Sequence, residues 1–257
     1  MSASPTLTLV TVSAFDLSRL SRTIESCKGM VADLEHLFVI PSNDLESLEV
    51  IELYSRTANF DVRVVHDNKE GIYAAMNLGA LSAQGIYCLF LNAGDEVFSG
   101  PTVRKNVDTL KVLNPIWGVT GVSLPWNANY YAYQSMDRDF RKQKSNGYVS
   151  HQSVFVRLDI FKKLNGLDVK FPIAADTKQI FQLSALCSPQ ILEGIAFKVE
   201  EGFTVTPTNR ESRLEVLRLI NQEGGIVIKI VSNFYFFKRE ASFIIRYVLR
   251  LFLRSRT

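Results

Sequence analysis

Four short apolar runs, 7–13 "LTLVTVS", 35–41 "EHLFVIP", 61–66 "DVRVVH" and 86–92 "IYCLFLN", alternate with segments of helical periodicity in the N-terminal part of the chain. Each run is bounded by polar or turn residues, so each reads as a strand. Between them, "DLSRLSRTIESC", "DLESLEVIELYSR" and "GIYAAMNLGALSA" place apolar residues at three- and four-residue steps, with Asp16 and Asp44 as N-caps. Strands and helices alternating at this spacing leave right-handed crossovers and a parallel sheet covered on both faces. The expected fold class is α/β with a Rossmann-like N-terminal half. In such sheets ligands bind where loops gather beyond the carboxyl ends of the strands.

Beyond residue 115 the pattern changes. "PIWGVTGV", "NYYAYQ" and "YVSHQSVFV" read as strands with few helices between them, which predicts a smaller mixed or antiparallel extension of the sheet. Helical periodicity returns at 173–187, "IAADTKQIFQLSALC". No repeat, low-complexity tract or Pro/Gly/Ser linker divides the chain. The expected organisation is one domain over residues 1–210, followed by a helical, basic, amphipathic appendage over 211–257.

With 257 residues, 47% of them hydrophobic and 21% charged, the chain can bury one large core, which argues against pervasive disorder. A net charge of +3 is too mild to announce a nucleic-acid partner, and none is expected. Cys27, Cys88 and Cys187 are odd in number and widely spaced, supporting neither a disulfide framework nor a zinc site; a reducing cytosol fits best. No basic segment precedes the first apolar stretch and no long apolar run follows, so neither a signal peptide nor a spanning helix is expected.

The stretch "NAGDEV", 92–97, puts two carboxylates at the end of an apolar strand, with Gly94 permitting an unusual turn. Two readings are open at this point. Oxygen ligands at such a place suit Mg²⁺ or Mn²⁺ bound mainly through substrate phosphates; alternatively, Asp95 makes an Asx-type turn and Glu96 is solvated.

Taken in order, "GIYAAMN" followed by Gly79, then "FLNAGD", "HQSVF" and "AAD", resemble the bacterial family 2 glycosyltransferases of the GT-A fold over residues 7 to 187. The resemblance implies that Asp95 holds a divalent cation, Mn²⁺ or Mg²⁺, against the diphosphate of a nucleotide-sugar, which is expected to be UDP-linked. Asn92 and Gly94 stand where other members often place aspartates. Gly71, Ile72, Tyr73, Met76, Asn77 and Gly79 match the segment beside the nucleotide and its sugar; helix packing accounts for Ala74, Ala75 and Gly79, and function for Tyr73 and Asn77. Pro41 occupies the position of a base-contacting aspartate, and Asp44 matches a later one or serves only as an N-cap. The implied sugar-donor set is Asp44, Gly71, Tyr73, Met76, Asn77, Asn92 and Asp95.

His151 and Gln152 match the acceptor and diphosphate side of the pocket, whereas His36 and His66 have no such context. Asp176 matches the general base. As an N-cap of the following helix it would also be kept ionised. The implied activity is inverting transfer of a sugar to a glycan, consistent with the lack of an activated Ser or Cys constellation and of any Walker A or G-x-G-x-x-G motif. The alternative is a non-catalytic GT-A-like subunit that binds a glycan or protein partner. A sugar nucleotidyltransferase would need a glycine-rich phosphate loop near the N-terminus, which is absent.

Residues 226–256 carry Lys229, Lys238, Arg239, Arg246, Arg250, Arg254 and Arg256 against the single carboxylate of Glu240. Arg246, Arg250 and Arg254 fall along one helical face among apolar residues. The pattern suits a helix lying on an anionic membrane surface, or a packed helix with its arginines in water. With the resemblance, it implies an acceptor on a polyprenyl diphosphate in surface-polysaccharide synthesis (O-antigen, capsule or exopolysaccharide). The expected location is cytoplasmic, peripheral on the inner face of the cytoplasmic membrane.

Overall fold

The computed structural model describes residues 4–67, 70–123 and 149–200, together with Glu215, Arg218, Leu219 and Gln222. The chain opens with β1 (Leu7–Val12), α1 (Leu17–Cys27), β2 (Leu34–Pro41), α2 (Leu45–Ser55), β3 (Asp61–Asp67), α3 (Ile72–Ser82) and β4 (Tyr87–Phe90). Asp16 accepts the Arg19 N–H and Asp44 the Ser47 N–H, so α1 and α2 start at the expected caps. β2 and β4 flank β1, β3 flanks β2, and all three pairings are parallel.

Residues alternate between two cores, as a sheet buried on both faces requires. Leu7, Leu9, Phe38 and Leu89 pack with Leu20, Ile24, Tyr54 and Val107 of the helices on one face. Val10, Val39 and Phe90 meet Ala75, Met76 and Ala80 of α3 on the other. A Cβ on Gly79 would sit 2.5 Å from Val10 Cγ1 and 2.9 Å from Val39 Cγ2. The small residues of α3 therefore let the helix lie directly on β1 and β2.

The remainder comprises β5 (Glu96–Val97), α4 (Gly100–Leu113), β6 (Trp117–Ser123), a 3₁₀ turn (His151–Ser153), β7 (Val154–Arg157), α5 (Leu158–Lys163), α6 (Ala175–Leu186) and β8 (Gln190–Lys198). The sheet order is β3-β2-β1-β4-β7-β6-β8-β5. β7 is antiparallel to both β4 and β6, β8 is parallel to β6, and β5 is antiparallel to β8, giving the mixed extension expected.

Two readings are corrected in detail. The strand expected across "YVSHQSVFV" is confined to its end, because the Ser153 N–H and hydroxyl both bond back to the Ser150 carbonyl, at 3.0 and 2.6 Å, and curl the chain through His151 and Gln152. α4, which the periodicity reading did not single out, is bracketed by an N-cap at Ser99, a proline in its first turn and a left-handed Asn114 at its end. The stretch "NYYAYQ" and Arg246, Arg250 and Arg254 lie outside the described residues. Leu219, within the expected appendage, is fully buried in the core that contains α6. No helix among the described residues is long and apolar enough to cross a membrane.

Candidate active site

Beyond β4 the chain keeps its register with β1: Leu91 N–H bonds to the Val10 carbonyl and Ala93 N–H to that of Val12. It then turns at Gly94 (φ 101°), where the Asp95 N–H reaches back to the Asn92 carbonyl at 3.0 Å. α1 secures this turn through Thr23, whose hydroxyl accepts the Gly94 N–H at 2.9 Å and donates to the Asp95 carbonyl at 2.7 Å. The two carboxylates then part. Glu96 Oε1 pairs with Lys198 at 2.8 Å along the β5–β8 edge. Asp95 points inward and is 5% exposed. Gln152 Nε2 donates to Asp95 Oδ2 at 2.9 Å, and the Glu200 N–H donates to Asp95 Oδ1 at 3.0 Å. Burial pushes the Asp95 carboxyl up, and the Glu200 amide, Gln152, His151 and Arg19 oppose that rise without cancelling it.

The 3₁₀ turn faces two ways at once. While Gln152 holds Asp95, His151 Nδ1 lies 3.0 Å from Asp176 Oδ2 and its Nε2 lies 3.3 Å from Asn92 Nδ2. With the proton on Nδ1, the ring donates to Asp176 and accepts from Asn92. In its charged form both nitrogens donate, and Asn92 meets the ring through Oδ1, a buried oxygen otherwise without a partner, once its amide turns over. Asp176 Oδ1 accepts the Thr177 N–H at 2.7 Å, and the Tyr73 hydroxyl stands 3.2 Å away. Burial pushes the Asp176 carboxyl up, but the hydrogen bond and charge of His151, with help from Thr177 and Tyr73, hold it below the usual carboxylate range. Conversely, burial pushes His151 down, and Asp176 and Asp95 lift it above the usual imidazole range.

Asp95, Asn92, Gln152, His151, Asp176 and Tyr73 thus form one connected rim. The other expected residues are placed differently. Asp176 is the second residue of α6 rather than its N-cap, which is Ala174. Met76 is fully buried in the core, so its side chain does not reach the rim. Asn77 spends both ends of its amide on the Leu167 peptide, at 2.8 Å each. Asp44 caps α2 and accepts the Phe15 N–H at 2.7 Å, which ties the loop after β1 to the start of α2. Gly71 is exposed at the opening of α3. The buried His36 bonds to Thr11 and Tyr54 and to none of these residues, and burial pushes it down to about 3.

One residue joins the site that the sequence reading did not name. Glu200, just past β8, meets Asp95 through its backbone and pairs its carboxylate with Arg19 and Arg22 of α1. Glu200 carries no sequence signal.

Among the described residues no group of three His, Cys, Asp or Glu side chains is disposed to hold an ion. The chemistry of Asp95 nevertheless fits Mg²⁺ or Mn²⁺. Each of its oxygens accepts one hydrogen bond and keeps a further lone pair, and these cations take one or two protein carboxylates and leave the rest to phosphates and water.

A parallel sheet that turns antiparallel beside an acidic strand-end turn is the architecture of the GT-A glycosyltransferases. The model of Glycosyl transferase family 2 matches residues 10–165, and the chain belongs to that family. Asp176 and Glu200 lie beyond the matched segment. Uncharacterized glycosyltransferase Rv1514c of Mycobacterium tuberculosis is 29% identical over 200 residues, 74% of this chain and 72% of its own. PGL/p-HBAD biosynthesis glycosyltransferase Rv2957 of the same species is 24% identical over 172 residues, 67% of this chain and 64% of its own.

Among solved structures, S. aureus TarS 1–349 superposes with a TM-score of 0.64 at 14% identity, over 85% of this chain and 65% of that one. This chain therefore spans slightly less than two thirds of that neighbour. The mannosyltransferase PcManGT from Pyrobaculum calidifontis, solved with GDP-Man and Mn²⁺, superposes with a TM-score of 0.58 at 13% identity, over 86% of this chain and 64% of that one.

Proposed function

We propose that the chain is an inverting glycosyltransferase that moves a sugar from a nucleotide-sugar, UDP-linked in the first instance, to a glycan acceptor. The observation that carries this reading is the His151–Gln152 turn, which links the buried Asp95 to the ionised Asp176 in one hydrogen-bonded network. In this reading Asp176 takes the proton of an acceptor hydroxyl as its oxygen bonds to the anomeric carbon. The bond to the diphosphate breaks with its electrons leaving on the phosphate oxygen. Attack on the face opposite the leaving group inverts the centre and requires no covalent intermediate.

Asp95 would hold a Mg²⁺ or Mn²⁺, which when bound supplies charge neutralisation for the departing diphosphate. Gln152 fixes the direction of Asp95, and His151 keeps Asp176 ionised and oriented. The names of the mycobacterial relatives and the nucleotide-sugar complex of a structural neighbour support the reaction class. The arginine stripe at 246, 250 and 254 supports docking of the appendage on an anionic membrane, where a polyprenyl-linked acceptor would be met.

The test is calorimetric titration with UDP-glucose, UDP-GlcNAc, GDP-mannose and a dTDP-sugar, with and without Mn²⁺, followed by nucleotide release with candidate acceptors. Binding and turnover of one of them are expected. Asp176→Asn should leave binding intact and lower turnover by on the order of 10²-fold or more. An Asp176→Asn variant that transfers at the parent rate would place the base elsewhere, and failure to bind any nucleotide would favour the non-catalytic subunit.

A further inference from the structure

The helix that carries Asp176 starts without a side-chain cap, because Ala174 stands at its N-cap and offers no acceptor. The amides that lead into it are received by a residue distant in sequence. Glu215 Oε1 accepts the N–H groups of Ile173 and Ala174, each at 2.8 Å. From the other side, the Tyr73 hydroxyl donates to the Ile173 carbonyl at 2.8 Å and stands 3.2 Å from Asp176 Oδ1. Ile173 is therefore gripped through both of its backbone groups. The grip is anchored as well: Leu219, four residues beyond Glu215, is fully buried in one core with Phe171, Ile180 and Leu183.

We propose that Glu215 is a positioning residue for the transfer reaction. It fixes the backbone entering α6 and with it the direction in which Asp176 presents its carboxylate to the acceptor. This inference rests on the reading of Asp176 as the base. A carboxylate at a helix N-terminus satisfies amides that have no partner within the helix and complements the positive end of the dipole. Charge-assisted bonds of this kind are stronger than neutral ones. Only Ala175 separates the second gripped residue from Asp176, so an error in the grip passes directly to the base. Misplacement of a reacting group by about 1 Å costs on the order of 10²-fold in rate. Glu215 belongs to the part of the chain that the sequence sets apart as an appendage, so the geometry of the base depends on chain beyond residue 210.

The experiment compares the full-length parent, Glu215→Ala, Glu215→Gln and Asp176→Asn. It reads nucleotide release from the sugar-nucleotide panel above, UDP binding by calorimetry, thermal unfolding, and amide exchange at Ile173 and Ala174. Glu215→Ala is expected to lower kcat by about 10- to 10²-fold with UDP affinity held within about twofold, and to speed exchange of those two amides by about tenfold or more. Glu215→Gln should recover most of kcat, since its amide oxygen still accepts both N–H groups.

Parent kcat in Glu215→Ala, or kcat and UDP affinity falling together with Gln no better than Ala, would overturn the proposal. If Asp176→Asn transfers at the parent rate, the base assignment fails and the proposal with it. If Asp176→Asn is slow while Glu215→Ala is fast, the grip alone fails.

Discussion

Placing an aspartate at Gly94, where the family resemblance implies one in other members, is predicted to damage the site rather than strengthen cation binding. Gly94 holds a φ of 101°, a conformation that strains any L side chain by roughly 1–3 kcal/mol. A Cβ there would overlap Glu200 Oε2 and lie 2.8 Å from Arg19 Nε. The carboxylate of Glu200 sits in that space, held by Arg19 and Arg22, and its backbone N–H holds Asp95. Glu200 and Arg19 meet this space with the ends of flexible side chains, so the backbone strain sets the cost, about 1–3 kcal/mol, which for a chain of this size lowers the melting temperature by at least about 2 °C. Thermal unfolding and Mn²⁺-dependent nucleotide titration of Gly94→Asp should show that drop and weaker binding, and Mn²⁺ should not restore the parent stability. Gly94→Ala, which adds the Cβ without the charge, should lose comparable stability. Parent stability in Gly94→Asp together with tighter Mn²⁺-dependent binding would refute the reasoning.

Removing the imidazole by His151→Gln should move the acid limb of the pH–rate profile to higher pH. His151 is what holds the buried Asp176 below its ordinary range; a depressed carboxyl gives stability above its unfolded value that is lost as pH falls, so this acid-side loss should also shrink in the variant. An acid limb that stays in place would remove His151 from the control of Asp176. Asn77→Ala leaves both groups of the Leu167 peptide without their partner, which costs about 2–4 kcal/mol and should appear as reduced thermal stability with unchanged nucleotide affinity. Weaker nucleotide binding at unchanged stability would instead return Asn77 to the sugar-donor site.

What the sequence made legible was what local chemistry decides. Asp16 and Asp44 cap helices whose first amides lie three residues away, and the parallel half of the sheet follows from alternation alone. The motif in α3 was recognised, but the roles of its residues depend on helix rotation. Tyr73 and Asn77 are four apart, so both lie on the face that meets the loop before α6, and they reach Ile173 and Leu167. Met76 falls on the face that meets the sheet and is buried. The His-Gln pair was identified without its geometry, because a strand was expected where Ser150 and Ser153 curl the backbone. Glu200 and Glu215 were out of reach for a different reason. Their partners are Asp95, about a hundred residues earlier, and the backbone of Ile173, contacts that only the closed fold creates.

The two carboxylates of the rim are tuned in opposite directions by unlike neighbours. Asp176 has the His151 ring against one oxygen, which holds its carboxyl down before any ligand arrives. Asp95 is the less solvent-exposed, and its direct partners are a neutral amide and a backbone N–H, which leave part of the desolvation cost unmet. An incoming positive charge therefore has more to gain at Asp95 than at Asp176, which is the distribution a diphosphate-bound cation on one side and a ready base on the other would require. Because adjacent residues of one turn hold both, a shift of that turn would disturb cation affinity and base strength together. Under the proposed reading, Gln152 and His151 are thereby a single element joining the sugar-donor and acceptor sides of the site.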